Sequence, residues 1–306
     1  MNFLNLTHER FVKSQNLQTA SSGSHADVRA GVDIEQVQGG YFSARKNVEA
    51  FLELGLGPVE KDLPEDVNYA DLGGGSGVLA ISVTDYLEAK GHKVRPVVVD
   101  GNPMFLEKAK ERGLRTQLCD LETCDLEGLN LVTMRAVNHY NTVDKQQEIL
   151  DNVYRSLGEN GYLVSQISSG SAANCELRSN LSNLESLGRA IGNDQYHWLP
   201  RQEFIRLLEN SGFSKNSFVG CAPSNCYGPG EQWERFNKKR TQEAAAQRNE
   251  QELGRIQEQK KLFLQDAEDL IRACYEKCGK EISGVHFTTF GDGQIKYEYP
   301  IIISKK

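Results

Sequence analysis

The chain has 306 residues, 39% of them hydrophobic and 25% charged, ordinary globular usage that excludes a disordered or fibrous chain and suits one core with a cap. Its 35 basic and 42 acidic residues leave a net charge of -7, which repels phosphate, so neither nucleic acid nor anionic lipid is an expected partner. The seven cysteines form no CxxC pair, no apolar run approaches the roughly 18 residues of a bilayer helix, and MNFLNLTHERFVKSQ lacks a leader pattern. A cytoplasmic protein without a membrane span is expected.

In chain order, residues 1–42 read as an N-terminal arm or lid, followed by an amphipathic helix from Ser43 to Leu54 that Ser43 can cap. From Asn68 apolar strands alternate with helical stretches: NYADLGG, VLAISVTDYLEAKG, VRPVVVD, PMFLEKAKERG and LRTQLCD. That βαβαβ order predicts a parallel sheet. LNLVTMRAV continues as a strand, KQQEILDNVYRSLG as a helix stopped by Gly158, and GYLVSQIS as a strand. After a long connection, CELRSNLSNLESLGRAIGNDQYHW, come the helix RQEFIRLLENSG, stopped by Gly212, and a strand near Phe218 to Ala222. Residues 43–222 thus read as a cofactor-binding α/β core, and residues 223–283 as a helical insertion serving as cap or as homodimer contact. Residues 284–306 read as a closing hairpin, with Gly284 to Phe290 and Gln294 to Ser304 flanking Gly291-Asp292-Gly293.

The informative segment is Asp71-Leu72-Gly73-Gly74-Gly75-Ser76-Gly77, where a strand gives way to a helix. Glycines there permit a tight turn and close approach of a ligand to backbone amides, and the helix start offers free N–H groups. A dinucleotide GxGxxG loop would need glycine at Val78, and no Lys-Ser/Thr pair makes a P-loop. A second strand ends at Asp100-Gly101-Asn102, where a carboxylate can accept hydrogen bonds from both hydroxyls of a ribose. A third ends at Cys119-Asp120-Leu121, an acceptor beside an apolar side chain, suited to an adenine. Asp100 also reads as a helix cap, and Asp120 as the start of a turn.

With an acidic residue and GxGxG at Asp71, Gly73, Gly75 and Gly77, followed by Asp100, the sequence resembles the class I, Rossmann-like S-adenosylmethionine-dependent methyltransferases. The resemblance implies a seven-stranded, mostly parallel sheet with helices on both faces, and S-adenosylmethionine as cofactor with S-adenosylhomocysteine as product. It also implies Gly73 and Gly75 beside the cofactor, Asp71 at its amino-acid end, Asp100 with Gly101 and Asn102 at the ribose, and Asp120 with Leu121 at the adenine. The segment from Met134 through Arg135 to Asn141 is similar to the RxVLH segment of small-molecule O-methyltransferases, which borders the methionine moiety and the substrate. Asn138 stands where Leu is usual and Tyr140-Asn141 replaces Asp-Trp, which predicts a polar substrate. The general-base histidine of such enzymes has no match in SQISSGSAANCELRS.

Candidate catalytic residues are therefore Asn138, His139, Tyr140 and His197, and candidate substrate contacts are Tyr41, Asn141, Arg178 and Trp233. Arg178, like Arg189, can fork onto a substrate carboxylate, while Trp233 and Tyr41 serve as aromatic walls or fill the core of the cap. No cysteine spacing suggests a metal site. The expected activity is methyl transfer to a small polar metabolite. Two other readings stay open: a cyclase that releases methylthioadenosine from the cofactor, and a non-catalytic binder.

Overall fold

The computed structural model describes residue 42 and residues 44–188, 195–278 and 295–306, except the side chains of residues 225–227. Helix α1 (Arg45–Phe51) runs into one π-helical turn at Leu52–Leu56. The alternating unit follows as β1 (Asp66–Leu72), α2 (Val78–Glu88), β2 (Lys93–Asp100), α3 (Pro103–Glu111), β3 (Arg115–Leu118) and β4 (Leu129–Arg135). Next come α4 (Val143–Ser156), β5 (Leu157–Gln166), α5 (Ala172–Ser182), α6 (Arg201–Asn210) and β6 (Lys215–Tyr227). Two long helices, α7 (Pro229–Ala246) and α8 (Glu250–Cys278), precede β7 (Ile295–Lys305).

The seven strands form one sheet in the order β3-β2-β1-β4-β5-β7-β6, parallel except for β7, which runs antiparallel to both its neighbours. Consecutive strand residues serve opposite faces. Val97 and Val99 pack with α4 and α6 through Ile149, Val153, Phe204 and Leu208, whereas Val98 packs with α1, α2 and α3 through Phe51, Val83 and Leu106. A strand covered on both faces must be apolar at successive positions, which is why VVV stands in β2. The inserted helices share a core of their own: Ile256, Phe263, Ala267, Ile271 and Cys274 line one stripe of α8 against Leu177 and Leu181 of α5 and Trp233 of α7.

Three local expectations are corrected. Gly158 does not stop α4, which ends at Ser156; the chain enters β5 at once because Leu157 pairs with Leu129, and the left-handed residue of this stretch is Asn160. The connection after β5 contains α5, capped by Ser171, whose hydroxyl accepts from the Asn174 amide. β6 is longer than Phe218 to Ala222 because it pairs along β7 through two register shifts. Gly212 does end α6 in a left-handed conformation. The arm of residues 1–41, Ser43, Arg189 and the 284–293 half of the expected hairpin lie outside the described residues.

Candidate functional site

The strand order turns between β1 and β4, so a crevice opens at the carboxyl ends of these strands, where ligands of open α/β sheets bind. The glycine loop lies at its floor. Gly73, Gly75 and Gly77 have φ of 66°, 56° and 79°, values that favour residues without a Cβ. A Cβ at Gly73 would stand 2.4 Å from Val137 Cγ2, and one at Gly77 2.2 Å from Leu114 Cδ1, so these two glycines let the loop pack. Gly75 has nothing within 4 Å of such a Cβ, so its backbone is open to an approaching group. Arg112 pins the loop from below, donating to the Ser76 carbonyl at 2.9 Å.

Asp100 is buried at the end of β2 and ties the strand ends together: Oδ2 accepts from the Gly75 amide at 3.0 Å and Oδ1 from the Asn102 amide at 2.9 Å. Asn102 caps α3, its Oδ1 accepting from the Met104 amide. Gly101, Asp120, Leu121 and Asn141 line one cleft that encloses about 270 Å³, open to solvent. Asp120 also starts a turn, its carbonyl accepting from the Thr123 amide, and its side chain is exposed.

Asp71 is 1% exposed. The hydroxyl of Thr133 donates to its Oδ1 at 2.7 Å and in turn meets the Tyr69 hydroxyl at 2.7 Å, while Oδ2 has no hydrogen-bond partner. Burial pushes its pKa from 3.8 up to about 7, against the Thr133 bond and the charge of Arg135. The Arg135 guanidinium lies 5.3 Å from the centroids of the Phe42 and Phe51 rings and donates to Gln166 Oε1 at 2.6 Å and to the Phe42 carbonyl at 2.8 Å. It anchors Phe42, the last residue of the arm.

After Arg135, Ala136 adopts φ 56°, rare for a residue with a Cβ, and Asn138–Tyr140 form a single 3-10 turn. This turn separates the cleft at Asp120 from a second, partly open pocket, lined by Asn138, His139, Gln146, Ser168, His197 and Phe204 among others. His139 stacks on Trp198 with ring centroids 4.8 Å apart, and Tyr140 meets Tyr196 edge-on. Partial burial lowers the pKa of His197 below 6.5, with Glu203 opposing, so its imidazole is neutral at pH 7. Gln146, which sequence reasoning missed, donates to the carbonyls of Asn141 at 3.0 Å and His197 at 2.8 Å and so joins the turn to the facing loop. Its signal was a glutamine on the apolar stripe Gln146, Ile149, Leu150, Val153 of α4.

Among the substrate candidates, Asn141 lines the first cleft rather than the second pocket. Trp233 is not a wall of the opening: it is 1% exposed and packs on Phe263 inside the cap, because the apolar stripes of α7 and α8 close on each other there. Arg178 does not present its fork to the opening either. It is 1% exposed, donating to the Ser169 carbonyl at 2.9 Å and to Ser168 Oγ at 2.5 Å, with its guanidinium over the rings of Tyr297 and Trp198. Tyr41 lies outside the described residues. Among the described residues no group of three or more His, Cys, Asp or Glu could hold a metal ion, and no helix is long and apolar enough to cross a membrane.

Residues 61–214 match the sequence family described as an O-methyltransferase domain. The YcgJ protein of Bacillus subtilis has a similar fold at 14% identity, with a TM-score of 0.57 over 82% of this chain and 97% of that one. A phosphoethanolamine N-methyltransferase of Haemonchus contortus, solved with phosphomonomethylethanolamine and S-adenosylhomocysteine, is similar at 15% identity, with a TM-score of 0.50 over 93% of this chain and 61% of that one. No curated protein sequence matches the chain.

Proposed function

Because the chain belongs to the O-methyltransferase domain family and is an S-adenosylmethionine-dependent methyltransferase, we propose that it methylates a small polar metabolite held in the pocket beside Asn138. The observation that carries this reading is the Gly75 amide tied to Asp100 across the strand ends, with open space above Gly75 and a bounded pocket on the far side of the Asn138 turn. Such a pocket suits a metabolite better than a polymer. The free cysteines among the described residues suit a reducing cytoplasm.

The residues present fit the cofactor. Asp71 offers a buried oxygen without a partner to an α-ammonium, the Gly73 to Gly75 backbone leaves room for the methionine portion, Asp100 and Gly101 stand at the ribose, and Asp120 and Leu121 at the adenine. Bound there, S-adenosylmethionine supplies a methyl group on a sulfonium, open to in-line attack by a nucleophile. The work left to the chain is alignment and exclusion of water, which supply several kcal/mol of such a barrier. Gln146 fixes the Asn138 turn against the loop of His197, His139 is held flat on Trp198, and the neutral His197 imidazole can take a proton from the acceptor. Phe236 of α7 packs beside Tyr196, which supports reading the inserted helices as a cap on the aromatic side of the pocket.

The test is mass spectrometry of the protein incubated with S-adenosylmethionine, first alone and then with pooled metabolites. S-adenosylhomocysteine and a methylated compound that appear only with the pool support the reading. Methylthioadenosine formed without an acceptor would replace it by cyclisation, and no product from either mixture would leave a binder.

A further inference from the structure

The wall of the second pocket at Asn138, and the side chains packed behind Ser168 and His139, carry hydrogen-bond donors that lack acceptors. Asn138 Nδ2, Arg178 Nε and Trp198 Nε1 are all buried without a partner. Burying such a donor is costly, and Asn138 Nδ2, the one of the three whose residue lines the pocket, points to a ligand that brings an acceptor oxygen. They lie close together: Asn138 lines the pocket, His139 beside it stacks on Trp198, and the Arg178 guanidinium sits 4.9 Å from the Trp198 ring centroid.

Charge points the same way. Among the described residues Arg178 forms no ion pair, and the groups whose charge bears on it most are Tyr297, Cys175 and Tyr299. None supplies a negative charge near pH 7: the Cys175 thiol is pushed up to about 11 by burial, and a tyrosine ordinarily ionises only at about pH 10. Arginine stays protonated, so a buried cation lacks an ionised counter-charge, and no acidic side chain lines the pocket among the described residues. Ser168 transmits this polarity. Its Oγ accepts from Arg178 Nη2, which leaves the hydroxyl proton for an occupant of the pocket that Ser168 lines.

We propose that this pocket takes a carboxylate, whose oxygens receive the Ser168 hydroxyl and the Asn138 amide, with Arg178 behind Ser168 as counter-charge. The proposal rests on the methyltransferase reading only in calling the molecule that carries this carboxylate the methyl acceptor, through a protonated hydroxyl or amine elsewhere on it that His197 can deprotonate.

The experiment is calorimetric titration of the full chain with benzoate and with its neutral isostere benzamide, each with and without saturating S-adenosylhomocysteine. Benzoate should saturate the protein and bind about 10- to 100-fold more tightly than benzamide, the range expected for hydrogen bonds to a charged group. Ser168→Ala should remove about tenfold of the benzoate affinity and leave the benzamide affinity unchanged, which shows the pocket still folded. Arg178→Lys, which keeps the charge, should retain part of the preference where Arg178→Met loses it. Equal binding of the two probes, an unmoved benzoate affinity in Ser168→Ala, or no saturation by benzoate overturns the proposal. Failure of S-adenosylhomocysteine to bind while benzoate still does would count against the cofactor assignment and support the carboxylate pocket.

Discussion

Asp71 provides the sharpest test of the cofactor assignment, because its pKa of about 7 makes binding a proton-linked event. In the free protein burial holds the carboxyl protonated below pH 7, while in the unfolded chain it ionises near 3.8. The folded pKa is raised, so ionisation costs nothing below about pH 4; the cost grows through the window from 4 to 7 and levels off above it at about 4 kcal/mol. A ligand ammonium about 4 Å away, at an effective dielectric constant of about 20, contributes about 4 kcal/mol in return, enough to bring Asp71 back to the ordinary carboxylate range. Binding below pH 7 therefore expels a proton, and affinity for S-adenosylmethionine should fall about 50-fold from pH 7 to pH 5. Calorimetry at pH 6 in buffers of different ionisation enthalpy should count close to one proton released. Asp71→Asn should flatten the pH dependence, weaken binding at pH 7, and stabilise the free fold above pH 7 by up to a few kcal/mol while leaving it unchanged near pH 4. An affinity that is level from pH 5 to 7, or one with the same slope in Asp71→Asn, refutes the placement of the ammonium at Asp71.

The two glycines of the loop should part company. Gly73→Ala places a methyl group against Val137 and should lower stability by about 2 to 4 kcal/mol in denaturant titration, whereas Gly75→Ala should cost about 1 kcal/mol in stability yet weaken the cofactor more strongly in calorimetry. Gln146→Ala leaves the carbonyls of Asn141 and His197 unpaired and should cost about 1 to 3 kcal/mol in stability, with a raised KM for the acceptor in steady-state assays. His197→Gln should lower kcat about 100-fold or more and remove the rise of kcat with pH through the depressed histidine pKa; an unchanged pH profile would show that His197 takes no proton. Trp233→Ala should destabilise the cap by about 3 to 5 kcal/mol while the affinity for S-adenosylhomocysteine stays constant, since the indole lies in the core of the cap.

The alternating core was legible because its signals are local and repeated. VVV in β2 and the i, i+3, i+4, i+7 spacing of Gln146, Ile149, Leu150 and Val153 in α4 each announce which faces are covered. What eluded sequence reading depended on partners distant in the chain. Helix α5 carries Ser and Asn at four of its eleven positions, a composition of low helix propensity, and is held by Ala173, Leu177 and Leu181 against α8. The length of β6 is set by β7, and Gly158 lost its role as a helix stop to the pairing of Leu157 with Leu129. Arg178 was a candidate for binding a carboxylate by residue type, but its burial behind Ser168 follows from the packing of Trp198 and Tyr297, which no spacing encodes.

The turn from Arg135 to Asn141 is where these strands of argument meet. Ala136 is held in a left-handed conformation, at a cost of about 1 kcal/mol or more, by its amide donating to the Gln166 carbonyl. That bend sends the chain across the end of the sheet, so that Val137 packs on Gly73, Asn138 faces one pocket and Asn141 lines the other cleft. On the proposed reading, neighbouring residues of one turn serve both sides of the transfer reaction. The polar residues that set this turn apart from the RxVLH segment stand at positions 138, 140 and 141, where side chains reach the pocket, the facing aromatic ring of Tyr196 and the cleft. A backbone that must keep its cofactor can change its acceptor at these three positions without disturbing Asp71, Gly75 or Asp100, which sit on the neighbouring strand ends.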